Sequence, residues 1–243
     1  MKIGIISDIH SNINSLRLAF QKFQEENVEH IICLGDIIGI GPYPEKCIQF
    51  LIDKKDMICS IVRGNHENYL INGIPKRNHN DKNGKILNAE EIGTHTWNHN
   101  RLNNSQRDFI YQMKNRDIIN LKGRKIVIEH YPMDSADNHK EYYSYQNAEI
   151  LSELFEEKNA DVYLFGHTHK EFYEVDNKKH FINPGSLGCP ANTHGACFGI
   201  LNLEDNLISY EQIKIEYDIE KVINDIKKEN YPLNSFMINT FYK

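Results

Sequence analysis

Five short apolar runs each deliver a potential metal ligand just past their ends, and this repetition narrows the folds open to the chain more than any other feature. Residues 2–7 run into Asp8-Ile9-His10, 30–34 into Gly35-Asp36, 58–62 into Arg63-Gly64-Asn65-His66-Glu67, 125–129 into His130, and 162–165 into Gly166-His167-Thr168-His169. Short apolar runs with Gly at their ends read as buried strands. In an open α/β sheet, ligands bind in the crevice beyond the strand carboxyl ends, so side chains far apart in sequence converge there. The collected set is two Asp, one Asn and five His.

Between the strands, Ser11-Asn12 can cap a helix over about 13–26, in which Leu16, Ala19, Phe20 and Phe23 recur at helical spacing. A glycine-proline loop at 37–44 precedes a second helix carrying Cys47, Ile48, Leu51 and Ile52. This alternation favours parallel strands with right-handed crossovers. Residues 68–116 break it. The stretch 72–84 is polar without an apolar period, and helices are expected near 88–100 and 105–115, the second capped by Asn104 or Ser105. We read this segment as an insertion over the site. Strands near 117–129 lead to His130-Tyr131-Pro132, an irregular stretch at 133–145 and a helix at 146–158. Short antiparallel strands at 171–176, 179–182, 196–203 and 207–215 are read as a second sheet packed on the first, before a helix at 218–229. Apolar residues of the tail, 231–243, are expected to pack on this subunit or on a second copy, which leaves a homo-oligomer open. One domain spanning 1–243, with the insertion at about 68–116, accounts for the length.

The formal net charge is −6 with both signs interspersed, so no basic field gathers long nucleic acid. No apolar stretch has the length of a membrane span or the layout of a signal peptide, and a cytoplasmic protein is expected. Five cysteines without a Cys-x-x-Cys pair read as buried reduced thiols.

Imidazole, carboxylate and amide donors without thiolate suit Mn, Fe, Zn or Co better than Ca or Mg. Eight such groups exceed one tetrahedral ion and suit two ions sharing a carboxylate, a recurring solution for phosphate ester hydrolysis. A water shared by two ions yields hydroxide near neutral pH, and the leaving group then needs an acid. A lone histidine is usually a surface or hydrogen-bonded residue, so His30, His79, His95, His99, His139, His180 and His194 are left out of the site. Asp8 and Asp36 could be caps or turn formers, but their place after strands makes that reading minor.

In this order, Asp8-x-His10, Gly35-Asp36, Gly64-Asn65-His66-Glu67, His130 and Gly166-His167-x-His169 resemble the calcineurin-like metallophosphoesterase superfamily across nearly the whole chain. The likeness is greatest to its small single-domain bacterial and archaeal branch, which shares the segment Asn183-Pro184-Gly185-Ser186, by itself either a turn or a substrate edge. Each short motif is weak alone; five in order, each after a strand, are specific. The resemblance implies an α/β fold, a four-layer αββα sandwich of two mixed sheets flanked by helices. It also implies a dinuclear centre of transition-metal ions, Mn or Fe with Zn or Co as alternatives. Asp8, His10 and His169 would hold one ion, Asn65, His130 and His167 the other, and Asp36 would bridge them. His66 would bind phosphate and, as general acid, protonate the oxygen displaced by a metal-bridging hydroxide.

The implied activity is hydrolysis of a small phosphodiester or pyrophosphate, nucleotide-like in the manner of a dinucleoside polyphosphate. A phosphomonoesterase or phosphoprotein phosphatase is the alternative, and a non-catalytic metal-dependent binding protein a third reading. Phosphoprotein phosphatases carry a further Asp and Arg after the bridging Asp, that Asp orienting the catalytic His; residues 35–41 here have neither, so no orienting partner of His66 is legible. Tyr131 stands where relatives often have Gly, and would narrow the pocket or stack on a base; Arg63 would touch phosphate or serve packing. Selectivity is expected from the loops 68–116 and 131–145, through aromatic faces at Tyr69, Trp97, Tyr131 and Tyr142 and cations at Lys76, Arg77 and Lys140.

Overall fold

In β1 (Lys2–Ile6), Ile3 and Ile5 point to one side and Ile6 to the other, and all three are buried. A strand buried on both faces needs cover on both. The computed structural model, which describes residues 1–76, 86–136, 139–140, 143, 146–189 and 195–242, shows what supplies that cover. On one face lies α1 (Ile13–Glu25), capped by the Asn12 side chain as expected, its buried stripe of Leu16, Ala19, Phe20 and Phe23 set against the sheet. It leads to β2 (His30–Cys33), then α2 (Pro44–Asp53), β3 (Ile58–Ile61) and α3 (Asn65–Asn72). The helices α4 (Ala89–Asn100) and α5 (Asn104–Tyr111) follow, and Leu102 and Ile110 join the same outer core.

The second sheet begins with the hairpin β4 (Arg116–Leu121) and β5 (Arg124–Glu129). After α6 (Ala148–Leu154) come β6 (Val162–Leu164), β7 (Glu171–Asp176) and β8 (Lys179–Pro184). The chain then returns through β9 (Gly195–Leu203) and β10 (Ile208–Glu216), and ends in α7 (Ile219–Lys228) and α8 (Asn234–Phe241). The strand orders are β10-β9-β1-β2-β3 and β4-β5-β6-β8-β7. In the first, β1, β2 and β3 run parallel and β9 and β10 add antiparallel pairs on one side, while the second has a parallel centre of β5, β6 and β8 with β4 and β7 antiparallel at its edges. Between the sheets lie Ile3, Ile5, Ile32, Leu34, Ile126, Ile128, Val162, Leu164, Ile182, Leu201 and Leu203. Each such side chain contributes about 1.5–3 kcal/mol by leaving water, so this inner layer is what joins the sheets. On the far face of the second sheet, α6 covers Val127, Tyr163, Phe165 and Phe181. This is the four-layer αββα sandwich with two mixed sheets.

Several sequence expectations are corrected. The four late strands do not form a sheet of their own: β7 and β8 complete the second sheet, while β9 and β10 extend the first. The physical reason is burial, because the nearly all-buried β9 needs a core on each face and finds it beside β1. The segment after Gly64 forms α3, the helix at 146–158 shortens to α6, and part of the tail is helical in α8. The cap of α5 is Asn103, one residue earlier than expected, since Gln106 three residues on completes a reciprocal box with it. The tail packs on its own subunit, with Tyr231, Met237 and Tyr242 buried against Cys189, Val222 and Ile226. Four of the five free thiols are buried, and Cys59 is half-buried. Among the described residues no helix is long and apolar enough to cross a membrane.

Candidate metal centre

The loops after β1, β2, β5 and β6 and the start of α3 meet at one edge of the sandwich, so both sheets contribute to a single cluster. Five of the seven expected metal ligands, Asp8, His10, Asp36, His167 and His169, have left-handed backbone, with φ of 51°, 45°, 50°, 68° and 57°. Non-glycine residues adopt this conformation at a cost, and it persists where surrounding bonds hold it. Here the loops hold one another. Asp8, His10 and Ser11 donate their N–H groups to the carbonyls of Gly35, Asp36 and Ile37 at 3.0, 2.9 and 2.8 Å, and the Ser186 hydroxyl donates to the Asp8 carbonyl at 2.8 Å.

Asp8 Oδ2 accepts from the Ser7 hydroxyl (2.6 Å) and the His167 N–H (3.0 Å). Its Oδ1 is buried without a hydrogen-bond partner among the described residues, 3.3 Å from His169 Nε2 and 3.8 Å from His10 Nε2. Those two imidazole nitrogens are 2.9 Å apart. On the other side, His167 Nδ1 lies 3.0 Å from Asn65 Oδ1 and 3.3 Å from His130 Nε2. Between the two groups, Asp36 Oδ2 is 3.2 Å from His130 Nε2 and 4.0 Å from both His10 Nε2 and His66 Nε2. Nitrogen and oxygen lone pairs crowded together in a dry site repel one another unless a proton or cation lies among them. The orphaned Asp8 oxygen and the facing imidazoles therefore fit transition-metal ions, and the donors contain no thiolate.

The protonation pattern agrees. Burial alone would raise both carboxyls, but His169 and His130 hold Asp8 below its ordinary value, and His130 and His66 hold Asp36 well below. Burial pushes His10 down to about 4 and His167 to about 3, helped by the neighbouring imidazoles His169 and His130 respectively. For His130, burial is overcome by Asp36 and Asp8, which raise it to about 10. The cluster thus keeps two carboxylates ionised and gathers positive charge between them. His130 Nδ1 donates to the Leu34 carbonyl at 2.7 Å, and this bond aims Nε2 at Asp36.

Some working residues were not legible in advance. Glu67 is fully buried and accepts four N–H groups: Asp36 (2.9 Å) and Gly64 (2.8 Å) on Oε2, Ile37 (2.8 Å) and Ile38 (3.1 Å) on Oε1. One carboxylate therefore ties the Asp36 loop to the start of α3. The signal was a glutamate three residues after a helix cap, which goes unread unless α3 itself is recognised. Gly64 has no room for a side chain, because a Cβ there would overlap Asp36 Oδ1. Two histidines set aside from the site are also brought in: His95 on α4 lies 5.2 Å ring to ring from His66, and His139 lies 5.6 Å from His167. Asn183 is buried and donates to the Gly166 carbonyl (2.8 Å), so the segment at 183–186 clamps the His167 and Asp8 loops.

The expected substrate contacts fare differently. Tyr131 is 1 % exposed, packed 5.3 Å from the His167 ring, so it narrows the site from within and has no free face for a base. Trp97 packs on Tyr231 (4.7 Å) with the Arg101 guanidinium over its ring, Tyr69 is buried beside His66 and His95, and Lys140 is paired with Glu156. Arg63 is half-buried and donates from Nε to Asn115 (2.6 Å). Arg77 and Tyr142 lie outside the described residues.

A family profile for the calcineurin-like phosphoesterase superfamily domain matches residues 1–206. The chain belongs to that superfamily. As a calcineurin-like member it is a phosphoesterase, from a family that works with metals. It is 26% identical to a phosphodiesterase of Methanocaldococcus jannaschii, over 89% of this chain and 100% of that protein. It is 28% identical to an uncharacterized protein of the same archaeon, over 95% and 93%. A metallophosphoesterase structure from Sphaerobacter thermophilus superposes with a TM-score of 0.75 at 21% identity, covering 99% of this chain and 97% of that one. A hypothetical protein from Pyrococcus horikoshii OT3 gives 0.76 at 16%, covering 100% and 98%. At these identities the two structures bear on the fold, which is the calcineurin-like one.

Proposed function

We propose that this calcineurin-like protein hydrolyses a small phosphodiester or pyrophosphate, nucleotide-like in class, at a centre of two transition-metal ions. The observation that carries the reading is the position of Asp36 Oδ2 between the group Asp8, His10 and His169 and the group Asn65, His130 and His167. Mn or Fe suits these donors, with Zn or Co as alternatives. Ions held there would acidify water and draw charge from the phosphoryl oxygens. The chain's own contribution to the chemistry is His66. A water oxygen bonds to phosphorus, the bond to the leaving oxygen breaks, and His66 Nε2 gives its proton to that oxygen. Burial pushes the His66 imidazole well below its ordinary value against the opposing charge of Asp36, so the ring is neutral in the free site, and the negative charge of a bound phosphate is what would favour its protonated form.

Among the described residues of the segment 68–116, α4 carries His95 to His66, which supports reading that segment as part of one domain beside the site. The imidazoles of His95 and His139, beside His66 and His167, support a recognition role in place of Tyr131 and Trp97. Long nucleic acid is disfavoured by the net charge of −6. The free thiols support a cytoplasmic setting. A phosphoprotein phosphatase is the weaker alternative. The third position after Asp36 is Gly39, and a side chain there would run into His66, leaving no place for an orienting carboxylate. The test is metal analysis of the purified protein together with kcat/KM for a bis-nitrophenyl diester, the matching monoester, a dinucleoside tetraphosphate and a phosphopeptide with Mn added. Metal-free protein that turns over none of them with Mn present refutes the enzyme reading, and a preference for the monoester or phosphopeptide refutes the diester reading.

A further inference from the structure

Among the described residues, the buried His66 Nδ1 has no hydrogen-bond partner, and Nε2 lies 4.0 Å from Asp36 Oδ2, beyond hydrogen-bond reach, so no hydrogen bond sets the angle of this ring. Its seat is the turn at Gly39, where φ is 94° and a Cβ would overlap His66 Nδ1. Gly39 in turn is held from outside the loop: its N–H donates to Asn98 Oδ1 at 3.1 Å. Asn98 is 1 % exposed, in α4, and the same oxygen accepts from the Ser11 hydroxyl at 3.1 Å. The other end of the amide, Nδ2, donates to the Tyr231 hydroxyl at 3.2 Å. Because the Gly39 N–H can only donate, the atom facing it must be the amide oxygen, and the NH₂ must then face Tyr231. Tyr231 is itself buried, edge-on to Trp97, and lies beyond the residues 1–206 that the family profile matches. Arg101, the residue that caps the end of α4, fastens the helix to Glu45 (2.9 and 3.0 Å) and to Glu229 (2.9 Å), so α4 is fixed to both α2 and the end of α7.

We infer that Asn98 and Tyr231 are positioning residues for His66: the tyrosine hydroxyl fixes the Asn98 amide, the amide holds the Gly39 turn, and the turn seats the imidazole with Nε2 toward the site. This rests on the reading of His66 as the proton donor to the leaving oxygen. Among the described residues neither side chain hydrogen-bonds an expected metal ligand, so metal occupancy should survive their loss. Steps that need a proton should not.

The test is Tyr231→Phe, which removes one hydroxyl from a packed ring, read alongside Asn98→Asp and His66→Asn. Substrates are bis-nitrophenyl phosphate, whose leaving group needs no proton, and a dinucleoside phosphate, whose alkoxide does. For Tyr231→Phe the dinucleoside rate should fall about 5- to 10-fold, the scale of one misplaced hydrogen bond in the transition state. The nitrophenyl rate should change less than about twofold, with metal content unchanged. Asn98→Asp keeps an acceptor for Gly39 and gives the Tyr231 hydroxyl a second one, so it should retain the wild-type ratio of the two rates. Ring ¹⁵N–¹H correlations of the metal-free protein should show His66 moved in Tyr231→Phe with His10 and His130 in place. Equal losses on both substrates, lost metal, unmoved His66 signals or no change at all would overturn the inference. If His66→Asn itself shows equal losses on both substrates, the reading of His66 fails and takes this inference with it; a split in His66→Asn without one in Tyr231→Phe overturns the relay alone.

Discussion

Replacing Glu67 by Gln changes one oxygen into an NH₂ group at a point where four backbone N–H groups converge. Whichever way the amide turns, two of those donors face another donor in a fully buried site. An unsatisfied buried donor costs about 1–3 kcal/mol, so two cost about 2–6 kcal/mol. Removing the charge gives some of this back. Burial and the nearby Asp36 carboxylate push Glu67 up to about 7 against the pull of the Ile38 and Gly64 N–H groups. At pH 8, where the carboxylate is the resident form, we expect Glu67→Gln to lose about 2–4 kcal/mol, a large part of a stability of about 5–15 kcal/mol. The damage should also reach function, since the Asp36 and Gly64 N–H groups are the pair that joins the Asp36 loop to α3. Urea unfolding of the metal-free protein measures the first effect, and metal content after dialysis measures the second. A loss below about 1 kcal/mol with full metal occupancy would show that the Glu67 contacts do not hold the site together.

Asp36→Ala should empty the site more completely than Asp8→Ala, because a shared carboxylate screens two cations from each other as well as binding both; equal metal stoichiometry in the two variants would count against Asp36 as the bridge. His66→Asn should keep its metals and slow turnover by about 10²- to 10⁴-fold on alkoxide leaving groups, with much less effect on a nitrophenolate, as kcat measurements on the two ester types will show. Metal binding should release the proton that His130 holds up to about 10, so between pH 7 and 9 affinity should tighten with rising pH by up to about tenfold per unit. Calorimetry in buffers of different ionisation enthalpy checks this, and a pH-independent affinity refutes it. Tyr131→Phe should leave the substrate ranking unchanged while His95→Ala alters it, measured as kcat/KM over the substrates above; the reverse pattern would restore Tyr131 as a recognition residue.

The strands and their ligand-bearing ends were readable from sequence because both signals are local. An apolar run of Ile and Val names a buried strand wherever its partners lie, and a residue just past that run arrives at the sheet's edge with it. Asp8, His10, Asp36, Asn65, His130, His167 and His169 therefore come together as their positions along the chain implied. Periodicity and capping likewise located α1, with Asn12 at its start. Pairing is not local. Nothing within 171–216 states that β8 lies beside β6 while β9 crosses to β1, because that choice depends on which buried faces remain uncovered once the other strands are placed. The same limit hid the supporting residues. Glu67 acts through N–H groups about thirty residues upstream, Asn98 through Ser11 and Gly39, and Tyr231 through Asn98. Tyr131 and Trp97 looked available for a base only while their neighbours were unknown, and packing against His167 and Tyr231 took their rings. A side chain's type sets what chemistry it can do and its place on a strand sets roughly where it goes, but its partners are fixed only when distant segments close around it.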